Sequence, residues 1–354
     1  MTSPYQGLPS RAFWRTAVTN RAPTEPGDIY HPKFGVNPSD RIVTAGSCFA
    51  QHIGRALKEA QCTVIDTELA PRAISDTVAT RFGYRMYSAR YGNIYTVRQL
   101  AQLLNEMRGK VSPSDPVWQC GNTYFDAQRP AVEPNGLVSE TLVLEHRAAH
   151  LKRAFMAFKQ ADVFVFTLGL TEAWVNRSDG TVYPTAPGTI AGEFDPARFA
   201  FKNFGYAEIL EDFRYVRHVL HKLNKNMRFI LTVSPVPLAA TATSQHVEVA
   251  SSYSKSTLRA VCGELFETYE DIDYFPSYEI ITSQNSRGVY YDANKRTISP
   301  LGIQTAMNLF LRAHELDRKP AALSEVDMAT SERSSQRTAE EVQCEEALLE
   351  AFAR

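Results

Sequence analysis

The chain has 354 residues, of which 44% are hydrophobic and 11% aromatic, so most of it can bury a core rather than stay disordered. Its formal net charge of −1 carries no electrostatic signature of nucleic acid or anionic membrane binding. We therefore expect neither partner, and the sequence shows no membrane span and no secretory leader. Five cysteines without CxxC spacing predict reduced thiols and a cytoplasmic location. The sequence has no GxGxxG, GxxxxGK[ST] or HExxH motif, so we expect no metal site and no cofactor.

The N-terminal third of the chain predicts an arm followed by a strand, a helix and a strand. Residues 1–40 are rich in proline and lack periodicity, which is typical of an arm. Residues 41–45 form a β-prone run that ends at Gly46 and is followed by apolar residues at helical spacing. Residues 62–66 then predict a second strand. This order indicates a βαβ unit and a parallel sheet.

The same alternation continues towards the C-terminus. Helices are predicted at 96–107, 137–160, 206–220 and 258–266, with a final helix from Pro300 to Leu311. Apolar strands are predicted at 163–168, 228–233 and 273–275, and a peripheral hairpin at 117–125. We expect one doubly wound domain over residues 41–319, a polar linker over 320–338 and a short acidic helix within 339–354.

The turn after the first strand is where chemistry is expected. Ligands of open α/β sheets bind at the carboxyl ends of the strands, and Ser47 follows such an end directly. A serine there can act as a nucleophile beside the N–H groups of a helix N-terminus, or it can simply cap the helix. Cys48 has the same two interpretations, as a thiolate at a helix N-terminus or as a small buried apolar residue.

Three stretches of the chain resemble one known family. Residues 44–50 read TAGSCFA, which resembles the signature of the GSCFA domain family, and residues 254–256 and 274–280 resemble further stretches of it. The resemblance covers about residues 42–313. This family is grouped with the SGNH (GDSL-like) hydrolases, which process acyl esters. It implies a three-layer α/β/α sandwich with a flavodoxin-like parallel sheet.

The resemblance also implies roles for particular residues. Ser47 matches the nucleophile of the first block. The second and third blocks supply the oxyanion and substrate-binding positions: Gly92, Asn93, Gly169, Thr171 and Glu172. Thr171 stands where the family group has an asparagine donor, and its hydroxyl could serve in part.

The largest departure from the family group concerns the residues that supply the general base. SGNH enzymes carry an Asp-x-x-His before the last helix, whereas this chain has Asn294 and Thr297 there. A serine needs a base to become a nucleophile. His246 follows the strand at 228–233 in a loop, so we expect it to supply the base, with Glu248 or Asp292 to orient it.

The expected function is that of an esterase or O-acyltransferase acting on a small-molecule or carbohydrate ester. Trp174 could stack on a sugar ring or be buried, and the loop at 183–189 could line the site. Two alternatives stay open. One is a catalytically inactive binding protein with the same fold, and the other is an acyl-transfer enzyme that uses Cys48.

Overall fold

A computed structural model describes residues 3–317 and 345–353 of the protein. The strands are β1 (Ile42–Gly46), β2 (Val117–Cys120), β3 (Thr123–Asp126), β4 (Val163–Leu168), β5 (Glu172–Asn176), β6 (Val182–Tyr183), β7 (Phe199–Asn203), β8 (Arg228–Val233) and β9 (Ile272–Tyr274). The helices are α1 (Ala50–Glu59), α2 (Asp76–Arg81), α3 (Val97–Met107), α4 (Glu140–Gln160), α5 (Tyr206–Leu223), α6 (Val247–Thr268), α7 (Ser277–Thr282) and α8 (Pro300–Ala313). The predicted linker at 320–338 lies outside the described residues.

The central sheet is parallel and has the strand order β1-β4-β8-β9. Gly46 pairs with Thr167, and Thr167 pairs with Thr232, so the carboxyl ends of three strands lie side by side. The predicted second strand at 62–66 is reduced to one parallel bridge between Val64 and Ile42. Because parallel neighbours need crossover connections, helices cover both faces of this sheet.

Each face of the sheet has its own hydrophobic core, which confirms the three-layer α/β/α sandwich. Side chains of α3, α4, α5 and α6 pack on one face, where Phe164, Phe166 and Phe229 are fully buried. Side chains of α1, α7 and α8 pack on the other face. The predicted arm joins this second core through Tyr30 and Val36. The arm is therefore anchored to the domain rather than detached from it.

Local sequence signals explain where the helices begin. The side chains of Thr96 and Ser139 accept hydrogen bonds from backbone N–H groups in the first turns of α3 and α4. Ser299 does the same for α8, whose first residue is a proline. Among residues 3–317 and 345–353, no helix is long and apolar enough to cross a bilayer.

The chain also forms two small antiparallel sheets outside the central sheet. β2 and β3 form the predicted hairpin, with its turn at Gly121 and Asn122. β5, β6 and β7 form a three-stranded sheet of order β6-β5-β7, which the sequence analysis did not predict. In this stretch the sequence analysis predicts only the loop at 183–189.

A buried group of charged residues attaches the hairpin to the helical layer. Arg147 on α4 bonds to Glu106 of α3 and, at 3.0 Å, to Asp126 of β3. Arg129 contacts the same Asp126 at 2.7 Å. Burial raises the pKa of Asp126, but the charges of the two arginines outweigh it and hold the pKa at about 2. The carboxylate is therefore ionised and fully paired at neutral pH.

Candidate functional site

The site begins at the turn that follows β1. Gly46 has φ +137°, and a Cβ at this position would lie 2.7 Å from the nitrogen and 2.9 Å from the Cα of Thr167. Only glycine allows the two backbones to approach so closely. The next residue, Ser47, donates its N–H to the carbonyl oxygen of Thr167 at 3.1 Å. The Gly46 carbonyl accepts from the N–H of Ile94 at 2.8 Å, which attaches a second loop to the turn.

Ser47 is buried at this turn, with 2% of its surface exposed. Its Oγ has no hydrogen-bond partner among the described residues. It does not cap α1, because Phe49 occupies the N-cap position and that helix start has no side-chain cap bond. A Cβ on Gly169 would lie 3.0 Å from the Ser47 Cβ, so the absence of a side chain there leaves room around the hydroxyl.

The loop that contains Gly92 and Asn93 forms a second wall. The Tyr87 hydroxyl donates to the carbonyl oxygen of Ser47 at 3.0 Å and also contacts Oδ1 of Asn93. Asn93 is almost fully buried, and Gln51 of α1 donates to its Oδ1 at 3.4 Å. The structure therefore links Asn93, the second of the two predicted residues, to the Ser47 turn through Tyr87.

The loop after β4 forms a third wall. The N–H of Gly169 donates to the Tyr95 carbonyl at 3.0 Å, which joins this wall to the second. Thr171 is buried; its N–H donates to Oγ of Ser254 at 3.0 Å, whereas its own Oγ1 has no partner among the described residues. Lys255, also buried, donates to the carbonyl oxygen of Gly169 at 2.6 Å.

Residues 254 and 255 of α6 therefore hold the third wall in place, a role that the sequence analysis did not assign. The sequence does contain a signal for the role of Lys255. Lys255 lies three and seven residues before Leu258 and Cys262, which are buried residues of the same helix, so it belongs to the inward face. A charged residue at an inward helical position is buried only when it has a specific partner.

A cavity of about 190 Å³ lies next to the third wall; Leu170 lines it, whereas Ser47 and Asn93 do not. Glu172, Trp174 and Thr241 line it. The Thr241 hydroxyl donates to Oε1 of Glu172 at 2.7 Å, and burial raises the pKa of Glu172 above its usual value. Trp174 is half-buried and packs edge-on against Phe194 and Phe201. The cavity thus combines an aromatic wall with a carboxyl group.

A carboxyl group from the C-terminal segment also reaches this region. Residues Glu345–Phe352 form a 3₁₀ helix, in the stretch where the sequence analysis predicted an acidic helix. The Glu345 carboxylate accepts hydrogen bonds from Nδ2 of Asn93 and, at 2.7 Å, from the hydroxyl of Tyr95. Leu349 of the same segment lines the cavity.

The predicted base is not bonded to the serine. His246 is exposed at the N-cap of α6, where its Nδ1 accepts from the N–H of Glu248 at 3.2 Å. At the family's position for the base, Asn294 donates to Oγ1 of Thr297 at 2.8 Å, so these two side chains bond to each other. In this conformation neither place supplies a proton acceptor to Ser47.

Two buried histidines are held neutral. Burial and the charge of Arg55 lower the pKa of His52 to about 3. Burial lowers the pKa of His150 to about 4, although its Nδ1 lies 2.7 Å from Oε2 of Glu68. Because burial opposes protonation more strongly than the carboxylate favours it, His150 donates to Glu68 as a neutral ring.

Cys48 lies beside Ser47 and is buried, and Cys48, Cys62, Cys120 and Cys262 form no disulfide with one another. Within the described ranges, no three His, Cys, Asp or Glu side chains are placed to hold a metal ion together. The turn therefore offers one hydroxyl and one thiol to a reacting group.

The chain matches the model of the GSCFA family over residues 41–310, which includes the Ser47 turn and all the central strands. No curated protein matches it. The family membership that residues 44–50 indicated is thus confirmed, and the match covers most of the folded domain. The chain belongs to the GSCFA family.

Proposed function

We propose that this protein is an SGNH-type ester-bond enzyme, an esterase or an O-acyltransferase, with Ser47 as its nucleophile. The observation that carries the proposal is the Ser47 hydroxyl, buried at the carboxyl end of β1 without a partner in the described part of the chain. Buried polar atoms nearly always have hydrogen-bond partners. A ligand that binds at this edge of the sheet would give the hydroxyl a partner.

The donors for an oxyanion come from the two neighbouring walls. The Ser47 N–H already donates to the Thr167 carbonyl, so it is not a donor for the oxyanion in this conformation. We assign that role to the Gly92 N–H and the Asn93 side chain. The buried Thr171 hydroxyl is a further donor, since it has no partner among residues 3–317 and 345–353. Preorganised donors of this kind stabilise the charge that develops on the acyl oxygen.

His246 stays our candidate for the base. To act, its ring must leave the cap of α6 and turn towards the Ser47 turn. The loop before it already borders the cavity through Ala240, Thr241 and Ala242, which supports the assignment. In the reaction, Ser47 Oγ attacks the acyl carbon while the imidazole takes its proton, and the alcohol of the ester then leaves with that proton.

The substrate class follows from the cavity. Trp174 offers an aromatic face beside Glu172, whose carboxyl group can form a hydrogen bond with a hydroxyl group of the substrate. A small-molecule ester, or the ester of a carbohydrate, fits such a lining. Transfer to water or to a sugar hydroxyl completes the turnover. The five cysteines lack CxxC spacing and are odd in number, which supports a cytoplasmic location.

A binding protein without turnover is the second candidate. It is favoured by the hydrogen bond between Asn294 and Thr297, which fills the family's base position with two groups that cannot accept the serine proton at neutral pH. In that case the same cavity binds an acyl ester and does not cleave it. A third possibility, acyl transfer by the Cys48 thiol, is tested together with the serine.

Esterase kinetics on short-chain p-nitrophenyl esters test the proposal. Ser47→Ala should lower kcat by several orders of magnitude, because loss of an activated nucleophile removes the covalent route. Cys48→Ala should retain most of the rate. The reverse pattern makes Cys48 the nucleophile, and no turnover by the folded wild type favours the binding protein.

The base is tested with His246→Asn. Asparagine keeps the cap of α6 but cannot accept a proton, so helix stability is matched while the base is lost. We expect a fall in kcat of about a hundredfold or more. Wild-type kcat in this variant would exclude His246 as the base.

A further inference from the structure

One carboxyl group of the segment Glu345–Phe352 is buried against the body of the protein. Glu345 is 5% exposed, whereas Leu348 and Phe352 are 47% and 66% exposed. In the described part of the chain, none of the segment's residues belongs to the hydrophobic cores of the sandwich. The contacts of the Glu345 carboxylate with Asn93 and Tyr95 therefore anchor the start of this segment.

The pocket that receives this carboxylate is held in shape by the body of the protein. Asn93 is oriented by Tyr87 and Gln51, and Tyr95 is fixed through its carbonyl, which accepts from the N–H groups of residues 169 and 170. A buried carboxylate is costly unless donors point at it. These donors suit any sp² oxygen, whether it belongs to a carboxylate or to an ester carbonyl.

We infer that Glu345 is an intramolecular occupant of the acyl-oxygen pocket, so that the C-terminal segment closes the candidate site until a ligand displaces it. Glu345 reaches Asn93, the same residue to which we assign the oxyanion. It also bonds to the hydroxyl of Tyr95. A Cβ built on Gly169 would lie 3.1 Å from the ring of Tyr95 and 3.0 Å from the Cβ of Ser47, so both side chains adjoin Gly169. The identity of the displaced ligand as an acyl ester rests on the proposed function; the occupancy of the pocket does not.

The test compares Glu345→Ala with Glu350→Ala in the full chain. Both changes remove one acidic group from the same segment, but Glu350 is exposed. Hydrogen–deuterium exchange of residues 345–352 should rise about tenfold or more in Glu345→Ala, because two hydrogen bonds to a carboxylate are lost. Exchange in Glu350→Ala should match the wild type. Unchanged exchange in Glu345→Ala, or an equal rise in both variants, would overturn the inference.

Acetate provides a second readout. In Glu345→Ala, acetate should restore protection to residues 92–95, whereas sodium chloride at the same ionic strength should not. No effect of acetate would show that the pocket does not bind carboxylates and would overturn the inference.

Reaction of Ser47 with a fluorophosphonate separates the two proposals. If Glu345 occupies the pocket, Ser47 should be labelled faster in Glu345→Ala than in Glu350→Ala. If exchange and acetate respond as expected but no variant is labelled, the occupancy holds and the proposed function fails. If Ser47 is labelled at one rate in all three proteins, the enzyme proposal holds and the closing role of Glu345 fails.

Discussion

Replacement of Gly46 by alanine tests how the signature glycine positions Ser47. An alanine must adopt φ +137°, a backbone conformation that costs a residue with a Cβ about 1 to 3 kcal/mol. Its Cβ would also lie within 3 Å of the nitrogen and Cα of Thr167, and overpacking of this kind costs about 1 to 3 kcal/mol. We therefore expect Gly46→Ala to lower the free energy of unfolding by about 2 to 6 kcal/mol.

Urea denaturation followed by tryptophan fluorescence measures this loss, and Gly263→Ala is the matched control. Gly263 lies inside α6, and the nearest atom to a Cβ there is the mobile end of the Arg259 side chain, at 3.1 Å. Alanine should therefore stabilise this helix by up to about 1 kcal/mol. If Gly46→Ala unfolds within about 0.5 kcal/mol of the wild type, β1 and β4 are not as closely packed at this turn as we describe.

Three further changes test the surroundings of the site, each by urea denaturation. The pKa of His150, near 6.5 when unfolded, is about 4 in the fold, so its contribution to stability is present above pH 6.5. That contribution falls by about 2 kcal/mol from pH 7 to pH 5. His150→Gln should show a smaller fall than the wild type, and an equal fall would contradict the assignment. Arg147→Met leaves two buried carboxylates without their shared partner and should cost about 3 to 5 kcal/mol; a neutral effect would mean that water reaches them. Ser254→Ala leaves the Thr171 N–H unpaired and should cost about 1 to 3 kcal/mol, whereas an unchanged midpoint would show that this bond does not hold the third wall.

The sandwich could be predicted because its strands and helices carry strong periodic signals. The apolar runs at 163–168 and 228–233 coincide with β4 and β8, residue for residue. The prediction of a strand at 62–66 was wrong for a physical reason. Only Val64 pairs with β1, because the chain leaves the edge of the sheet after a single parallel bridge.

The site could be predicted in part. The turns at Gly46, Gly92 and Gly169 follow from strand ends and from the family resemblance, and the structure brings them together. Glu345 could not be found in this way, since it lies far along the chain and nothing local indicates which pocket a carboxylate will enter. The position of His246 also depends on side-chain rotation, which a sequence pattern does not encode.

The central claim is that Ser47 is the reactive group of the site. Fluorophosphonate labelling with mapping of the adduct by peptide mass spectrometry tests it most directly, in the wild type and in Glu345→Ala. We expect one adduct per chain on Ser47, its loss in Ser47→Ala and its retention in Cys48→Ala. An adduct on Cys48, or no adduct on the folded protein even when Glu345 is replaced, would contradict the claim.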